Sequence, residues 1–267
     1  MIVLYALLGL ATGVAINLLA DQLPRWRRLR RAPFCPNPKC GAPRPYRTWS
    51  GLLAYASLRP GCPQCGSRLP WRHPLTEVGT AALFAFLWYQ YGAGQEWVFL
   101  VPYTVYSAIF VLVIVIDLEH KLILNVVMYP AWALALLGSL VHPSPYFYRL
   151  ALLGGALGFG ILYLIYLLGE LFVKAMSRMR GKPINAVAFG FGDVRLGGFI
   201  GLVLGFPTVL NAIFVAILLG GLGGLVFWFV RAVILRRYSL FTAIPYGPFL
   251  VISAMFFMFF APYVGTG

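Results

Sequence analysis

Long apolar runs, most of them near the roughly 20 residues a helix needs to cross hydrocarbon, follow one another through this chain with one extended polar interruption. Inside lipid every backbone amide and carbonyl must find a partner within the protein, so such runs admit only helices or a closed barrel. Barrel-type alternation of apolar and polar residues is absent, which leaves helices. Composition agrees: 61% hydrophobic residues against 10% charged, with a mean hydropathy of +0.83, is far from a soluble domain, where about a quarter of residues carry charge. The chain is predicted to be an all-α polytopic membrane protein. Eight spans are expected, at 2–20, 75–92, 97–117, 122–141, 150–173, 191–207, 208–230 and 241–263. The sixth is short and rich in glycine.

The first run has no basic residue ahead of it and is followed by Arg25, Arg27, Arg28, Arg30 and Arg31. Those flanks predict a retained helix with its N-terminus outside, in place of a cleaved signal peptide. Threading the spans from there puts loops 21–74, 118–121, 174–190 and 231–240 on the cytoplasmic side. They hold 11, 1, 4 and 3 Lys/Arg, and with Arg195 they account for 20 of the 21 basic residues. Only Arg149 falls outside. The net charge of +14 is then mostly the positive-inside bias, with attraction to anionic lipid headgroups. Lipid is the partner it implies, and nucleic acid is not. The expected organisation is a first transmembrane helix at 1–20, a cytoplasmic loop domain at 21–74 and a transmembrane core at 75–267.

Loop 21–74 carries all four cysteines, as Cys35-x4-Cys40 and Cys62-x2-Cys65. Gly41 and Gly66 follow the second member of each pair, which suits turns that aim backbone amides at thiolate sulfur. Two such pairs on the reducing side of a membrane predict a four-cysteine zinc site, because structural zinc takes four thiolates and closes a loop too small for its own core. Four thiolates leave no open position for a catalytic water, so the zinc is expected to be structural. Disulfides or free thiols are the alternatives.

An apolar chain with only three aspartates makes each of them conspicuous. Ionisable groups at a bilayer are costly and are functional candidates by default. Asp117 ends the third span, and Asp193 opens the sixth within Gly190-Phe191-Gly192-Asp193-Val194-Arg195. Threading puts both at the cytoplasmic face, at one depth, which is what an aspartyl dyad requires. Two approaching carboxylates come to share one proton; the ionised member takes a proton from water while the other hydrogen-bonds the scissile carbonyl. Taken singly, Asp117 could end a helix beside Lys121, and Asp193 could cap the sixth span or pair with Arg195. Gly190 and Gly192 allow backbone to come close to Asp193, and they are candidate substrate-facing residues.

The chain resembles the bacterial prepilin peptidases, the type IV prepilin leader peptidase family of Gly-x-Gly-Asp membrane aspartic proteases. The resemblance runs over nearly the full length. It comprises the Gly13 to Pro24 first helix and exit, the paired cysteines in a basic loop, His73-Pro74-Leu75-Thr76-Glu77, Ile116-Asp117, Gly190 to Leu196, and Ile244-Pro245-Tyr246-Gly247-Pro248-Phe249. It implies Asp117 and Asp193 as the catalytic pair. It also implies prepilins or pseudopilins as substrates, cut after a glycine that ends a short basic leader at the cytoplasmic face of a bacterial inner membrane. Members with this loop often also N-methylate the new N-terminus, which would make S-adenosylmethionine a second cofactor. The chain departs from the family around Thr48-Trp49-Ser50, where Asp-Asn-Ile-Pro is usual, and at Val187, Leu124 and Arg195. Those departures bear on methyl transfer and spare the aspartates.

Four further positions have ordinary explanations beside functional ones. Asn17 is expected to hydrogen-bond across a helix interface. Glu77, just after Pro74, is expected in the first turn of its helix, where the dipole favours it. Glu170 is a candidate substrate-facing residue whose simpler partner is Lys174 at i+4. Pro245 is a second candidate, since the Ile244-Pro245 break frees backbone groups. Loop 174–190 is expected to be a mobile connection that admits an extended substrate. The competing classes are a proton- or cation-coupled transporter using the same acids, and a zinc-bearing assembly factor without catalysis.

Overall fold

The computed structural model describes residues 1–25, 35, 37, 39–45, 48–57, 61–94, 96–180, 190–230 and 245–264. They fall into two compact units, Met1–His120 and Lys121–Gly267.

In the first unit, α1 (Ile2–Gln22) lies along α3 (Arg72–Leu87), which continues as a π-helical turn, Trp88–Gly92. Gly9 and Gly13 let the two backbones meet: a Cβ on Gly9 would sit 2.8 Å from the Ala81 Cα, and one on Gly13 would sit 2.7 Å from the Glu77 Cα. Between lipid-facing helices dispersion and close packing replace the hydrophobic effect, which is why small residues occupy this seam. A short helix, α2 (Gly51–Ala56), rests on the start of α3, and α4 (Trp97–His120) packs on both α1 and α3. Lys121 adopts a left-handed φ of 53°, which turns the chain out of α4.

The second unit is built on α7 (Phe191–Leu204), which is packed by α5 (Asn125–Leu140), α6 (Phe147–Arg180), α8 (Thr208–Phe229) and α9 (Gly247–Val264). From Asp193 to Leu204 every residue of α7 except Arg195 is buried, so the helix is apolar nearly all round because it is surrounded. Its glycines set the packing. Gly197 and Gly201 face Gly158 and Gly154 of α6 backbone to backbone, and Gly198 receives the Trp132 ring of α5.

Each expected span coincides with one of these long helices. Four of them, α1, α4, α6 as far as Met179 and α8, are long and apolar enough to cross a membrane, and α5 and α9 are shorter apolar helices. The protein is a multi-pass membrane protein. Three boundaries need correction. The fifth span does not end at 173: α6 runs to Arg180, so the first turns of the expected mobile loop are helical, while residues 181–189 lie outside the described residues. The last helix starts at Gly247, because Pro245 precedes it without joining it and has no amide hydrogen to give. The second span's helix starts at Arg72, which carries Glu77 past the first turn.

Candidate active site and metal centre

The four cysteines converge. Their Sγ atoms all lie within 4.8 Å of one another, with Cys35 to Cys65 at 3.4 Å and Cys40 to Cys62 at 4.0 Å, and no disulfide joins them. Sulfur atoms 2.3 Å from a tetrahedral zinc stand about 3.8 Å apart, so this donor set fits the ion. The local chain explains the convergence. Gly41 and Gly66 take left-handed φ values of 61° and 69°, so each pair closes on a glycine turn, as the sequence predicts. The Cys35 amide bonds the Ala42 carbonyl at 2.9 Å, and the Gly66 amide bonds the Cys62 carbonyl at 2.9 Å. Backbone amides of Cys65 and Gln64 bring the Cys62 thiol down to about 7, while burial pushes Cys35 up to about 12. Of these two, Cys62 offers a thiolate more readily near neutral pH.

Between this centre and the helices lies a buried polar cluster that the sequence did not announce. Glu77 is fully buried. Its carboxylate accepts from the Ser50 hydroxyl at 2.6 Å, the Gly51 amide at 2.7 Å, the Leu52 amide at 3.0 Å and the Asn17 side-chain amide at 3.4 Å. Glu77 thus serves the N-terminus of α2 and not that of its own helix, contrary to the expectation from sequence. Asn17 bridges α1 and α3 as expected, giving its other bond to the His73 carbonyl at 3.0 Å. Asp21, at the end of α1, pairs with Arg72 and with Arg44 at 3.4 Å, and His73 Nε2 stands 3.7 Å away. Arg72 also pairs with Glu119 in the last turn of α4.

Asp117 is buried in α4, three residues before its end. Asp193 is also buried and occupies the first turn of α7, where its amide bonds the Gly190 carbonyl at 3.0 Å. A Cβ on Gly190 would sit 3.3 Å from the Asp193 Oδ2, and one on Gly192 would sit 2.8 Å from the Ile123 Cβ, so both glycines keep the surroundings of Asp193 tight. Arg195 turns toward α5: its guanidinium donates to the Asn125 side chain and lies 4.7 Å from the Phe191 ring centre, and its carbonyl accepts from Trp132 Nε1 at 3.1 Å. Tyr246, just before α9, lies within electrostatic reach of Asp193. Glu170 is exposed on α6, accepts from the Tyr166 hydroxyl at 2.6 Å and pairs with Lys174 at 3.5 Å. Pro245 is half-buried beside Tyr246.

Sequence reasoning passed over Arg72, Glu119, Asn125 and Tyr246 as site residues. A charged residue at a helix end is too common to stand out, and only the folded chain shows its counter-ion. A bound S-adenosylmethionine would call for an uncommitted carboxylate to take its ribose hydroxyls, as in other adenosine sites. Among the described residues, the carboxylates near the cysteine loop, Asp21, Glu77 and Glu119, are each already paired within the protein as above.

Comparison with known proteins bears on the same residues. The model of the type IV leader peptidase family matches residues 104–225, and that of the bacterial Peptidase A24 N-terminal domain matches residues 7–91. A Pseudomonas putida protein named prepilin leader peptidase/N-methyltransferase is 29% identical over 94% of this chain and 88% of its own length. A Bacillus subtilis protein of the same name is 28% identical over 74% of the chain and 69% of its own length, and a Pseudomonas aeruginosa one is 26% identical over 92% and 86%. No solved structure gives a significant match. The first model spans both aspartates, the second spans the cysteine loop with the helices that hold it, and the curated relatives align along most of the chain: the chain belongs to the type IV leader peptidase family.

Proposed function

We propose that this peptidase is an aspartic endopeptidase of the cytoplasmic face of a bacterial inner membrane. It removes the short basic leader of type IV prepilins or pseudopilins, cutting after glycine, with Asp117 and Asp193 as the catalytic pair. The observation that carries this is the state of the two carboxylates: in a chain with seven acidic residues, both are buried at helix ends. A buried carboxylate is costly and therefore a candidate for function, and the third one buried here, Glu77, is accounted for by its four structural donors.

As a pair, the two groups hold one proton. The ionised carboxylate takes a proton from water, the hydroxide adds to the scissile carbonyl carbon, and the protonated partner hydrogen-bonds the carbonyl oxygen. The tetrahedral gem-diol then breaks its C–N bond as a proton passes to the leaving nitrogen. No covalent enzyme intermediate forms. One of Asp117 and Asp193 activates water and the other carries the proton. Gly190 and Gly192 admit the extended substrate backbone, with Glu170 and Pro245 at the approach. The 21–74 loop is a zinc-bearing cytoplasmic domain in which Cys35, Cys40, Cys62 and Cys65 hold the ion, which fixes the loop and does no chemistry. The 75–267 segment is the eight-span protein's catalytic core.

The deciding experiment incubates the protein with a prepilin in detergent or membranes, then repeats it with Asp117→Asn and Asp193→Asn. Each variant is expected to lose cleavage by at least about a thousandfold, the scale on which removing one member of a unit that works together is felt. Wild-type cleavage by either would end the assignment. Adding S-adenosylmethionine and weighing the product settles methyl transfer, since one transfer adds one methyl mass.

A further inference from the structure

The ion pairs of the first unit, buried at Arg44 and more open toward Glu119, form a chain of alternating charge with an end near each functional feature of that unit. At one end, the Cys35 amide bonds the carbonyl of Ala42, two residues before Arg44. The Arg44 guanidinium is buried against Asp21 at 3.4 Å, and burial lowers its affinity for its proton while Asp21 opposes that loss. Asp21 is shared with Arg72, whose guanidinium also reaches the Asn17 side-chain oxygen at 3.3 Å. Arg72 in turn pairs with Glu119. Glu119 is two residues beyond Asp117 on the same helix. The order is therefore cysteine loop, Arg44, Asp21, Arg72, Glu119 and the end of α4.

We propose that this ladder fixes the end of α4, and with it the Asp117 carboxylate, to the cysteine module, so that Arg72 and Glu119 are positioning residues for peptide hydrolysis. The proposal rests on Asp117 being one of the two catalytic carboxylates. Arg72 is suited to the task because a guanidinium presents a rigid fork of donors that can hold two carboxylates at once, which an ammonium point charge cannot. The last turn of α4 has no later helical turn to hold its carbonyls, and Lys121 leaves it at once in a left-handed conformation. Its direction is set by side chains, and Arg72–Glu119 is an ion pair that ties it to α3. Small misplacements of a reacting group cost large factors in rate while leaving substrate affinity alone. The alternative role for Glu119 is a direct counter-charge for the basic leader, and the two roles differ in the kinetic constant they move.

The test measures kcat and KM on a full-length prepilin with the full chain in detergent, for Glu119→Gln, Arg72→Lys, Arg72→Met and the Arg72→Met/Glu119→Gln pair. Melting temperature and zinc content are measured alongside. Glu119→Gln is expected to lower kcat about tenfold with KM within about twofold and zinc content unchanged. The double variant should be no slower than the worse single one, because both remove the same link. Arg72→Lys keeps charge and helix and should fall between, which covers the case in which Arg72→Met does not fold. Stripping the metal with a chelator should slow the wild type and leave Glu119→Gln almost unchanged. Wild-type kcat in Glu119→Gln, losses that multiply in the double variant, or a raised KM at constant kcat would each overturn the ladder. Asp117→Asn run in parallel keeps the two ideas apart: if it cleaves normally the catalytic assignment fails, and if it is dead while Glu119→Gln is normal only the ladder fails.

Discussion

At the scale of single residues, Glu77 shows how far a buried carboxylate can be from its obvious role. Its four donors come from α1 and from the start of α2, so it caps a helix that lies more than 20 positions earlier in the chain. Hydrogen bonds to a charged acceptor contribute about 1.5–3 kcal/mol each before the cost of burying the charge, and deleting the acceptor leaves the donors stranded. Glu77→Ala is expected to destabilise the first unit by about 3 kcal/mol, and Glu77→Gln by less, read as a fall in the unfolding midpoint in detergent. An unchanged midpoint for Glu77→Ala would show that the Ser50–Leu52 turn does not depend on it. The sequence expected Glu77 in the first turn of its own helix, whereas it lies past that turn and serves the start of α2, because which loop folds back onto α3 is not a local property. Asp117 and Asp193 were conspicuous as candidates for the opposite reason. In so apolar a chain an aspartate needs no neighbours to be noticed.

Among elements, α7 is the one that hydropathy describes worst. Its 14 residues reach about 21 Å, short of the roughly 30 Å of hydrocarbon. Glycine replaces length as its means of packing. The Gly154/Gly158 and Gly197/Gly201 pairs, each spaced by four, bring α6 and α7 into backbone contact. A Cβ at Gly158 would come 3.0 Å from the Gly197 carbonyl carbon, and backbone cannot yield as a side chain can. Gly201→Val is expected to displace α7, lowering the midpoint and taking most prepilin cleavage with it. Gly221→Ala, where a Cβ meets nothing within 4 Å, is the matched control and should be close to neutral. Equal behaviour of the two would remove the case for glycine-set packing. By contrast α6, at 34 residues, extends about 51 Å, longer than the roughly 30 Å of hydrocarbon, and includes Lys174 and Arg178. The sequence ended that span at 173 because basic residues begin there, whereas basic residues with good helix propensity continue a helix into water as readily as they end one in lipid. The cysteine element is a third case. Four thiols within 4.8 Å predict about one zinc per chain, and chelation is expected to open residues 35–68 to protease while the membrane helices stay intact. Zinc well below one per chain would remove the metal assignment.

On the scale of the whole molecule, the charge asymmetry is the strongest constraint on orientation. With 20 of 21 basic residues assigned to one side, cysteines introduced at Lys121 or Lys174 are expected to label from the cytoplasm only, and those at Glu96 or Arg149 from outside only. Labelling of Lys174→Cys from outside would invert the topology and remove both aspartates from the face where a basic leader waits. The all-helical membrane class, the course of the apolar runs and the convergence of the cysteines were readable in the sequence because each depends on local chemistry. Apolar length, thiol spacing followed by glycine, and rare acids among hydrocarbon keep their meaning wherever the chain goes. What only the tertiary structure decided is how the remaining polar groups are used: Glu77 for α2, Arg72 between Asp21 and Glu119, Arg195 for Asn125, and glycines as the seam of α6 and α7. The physical reason is that a buried charge or a bare backbone is defined by its partner. Partners distant in sequence meet only when the helices have packed.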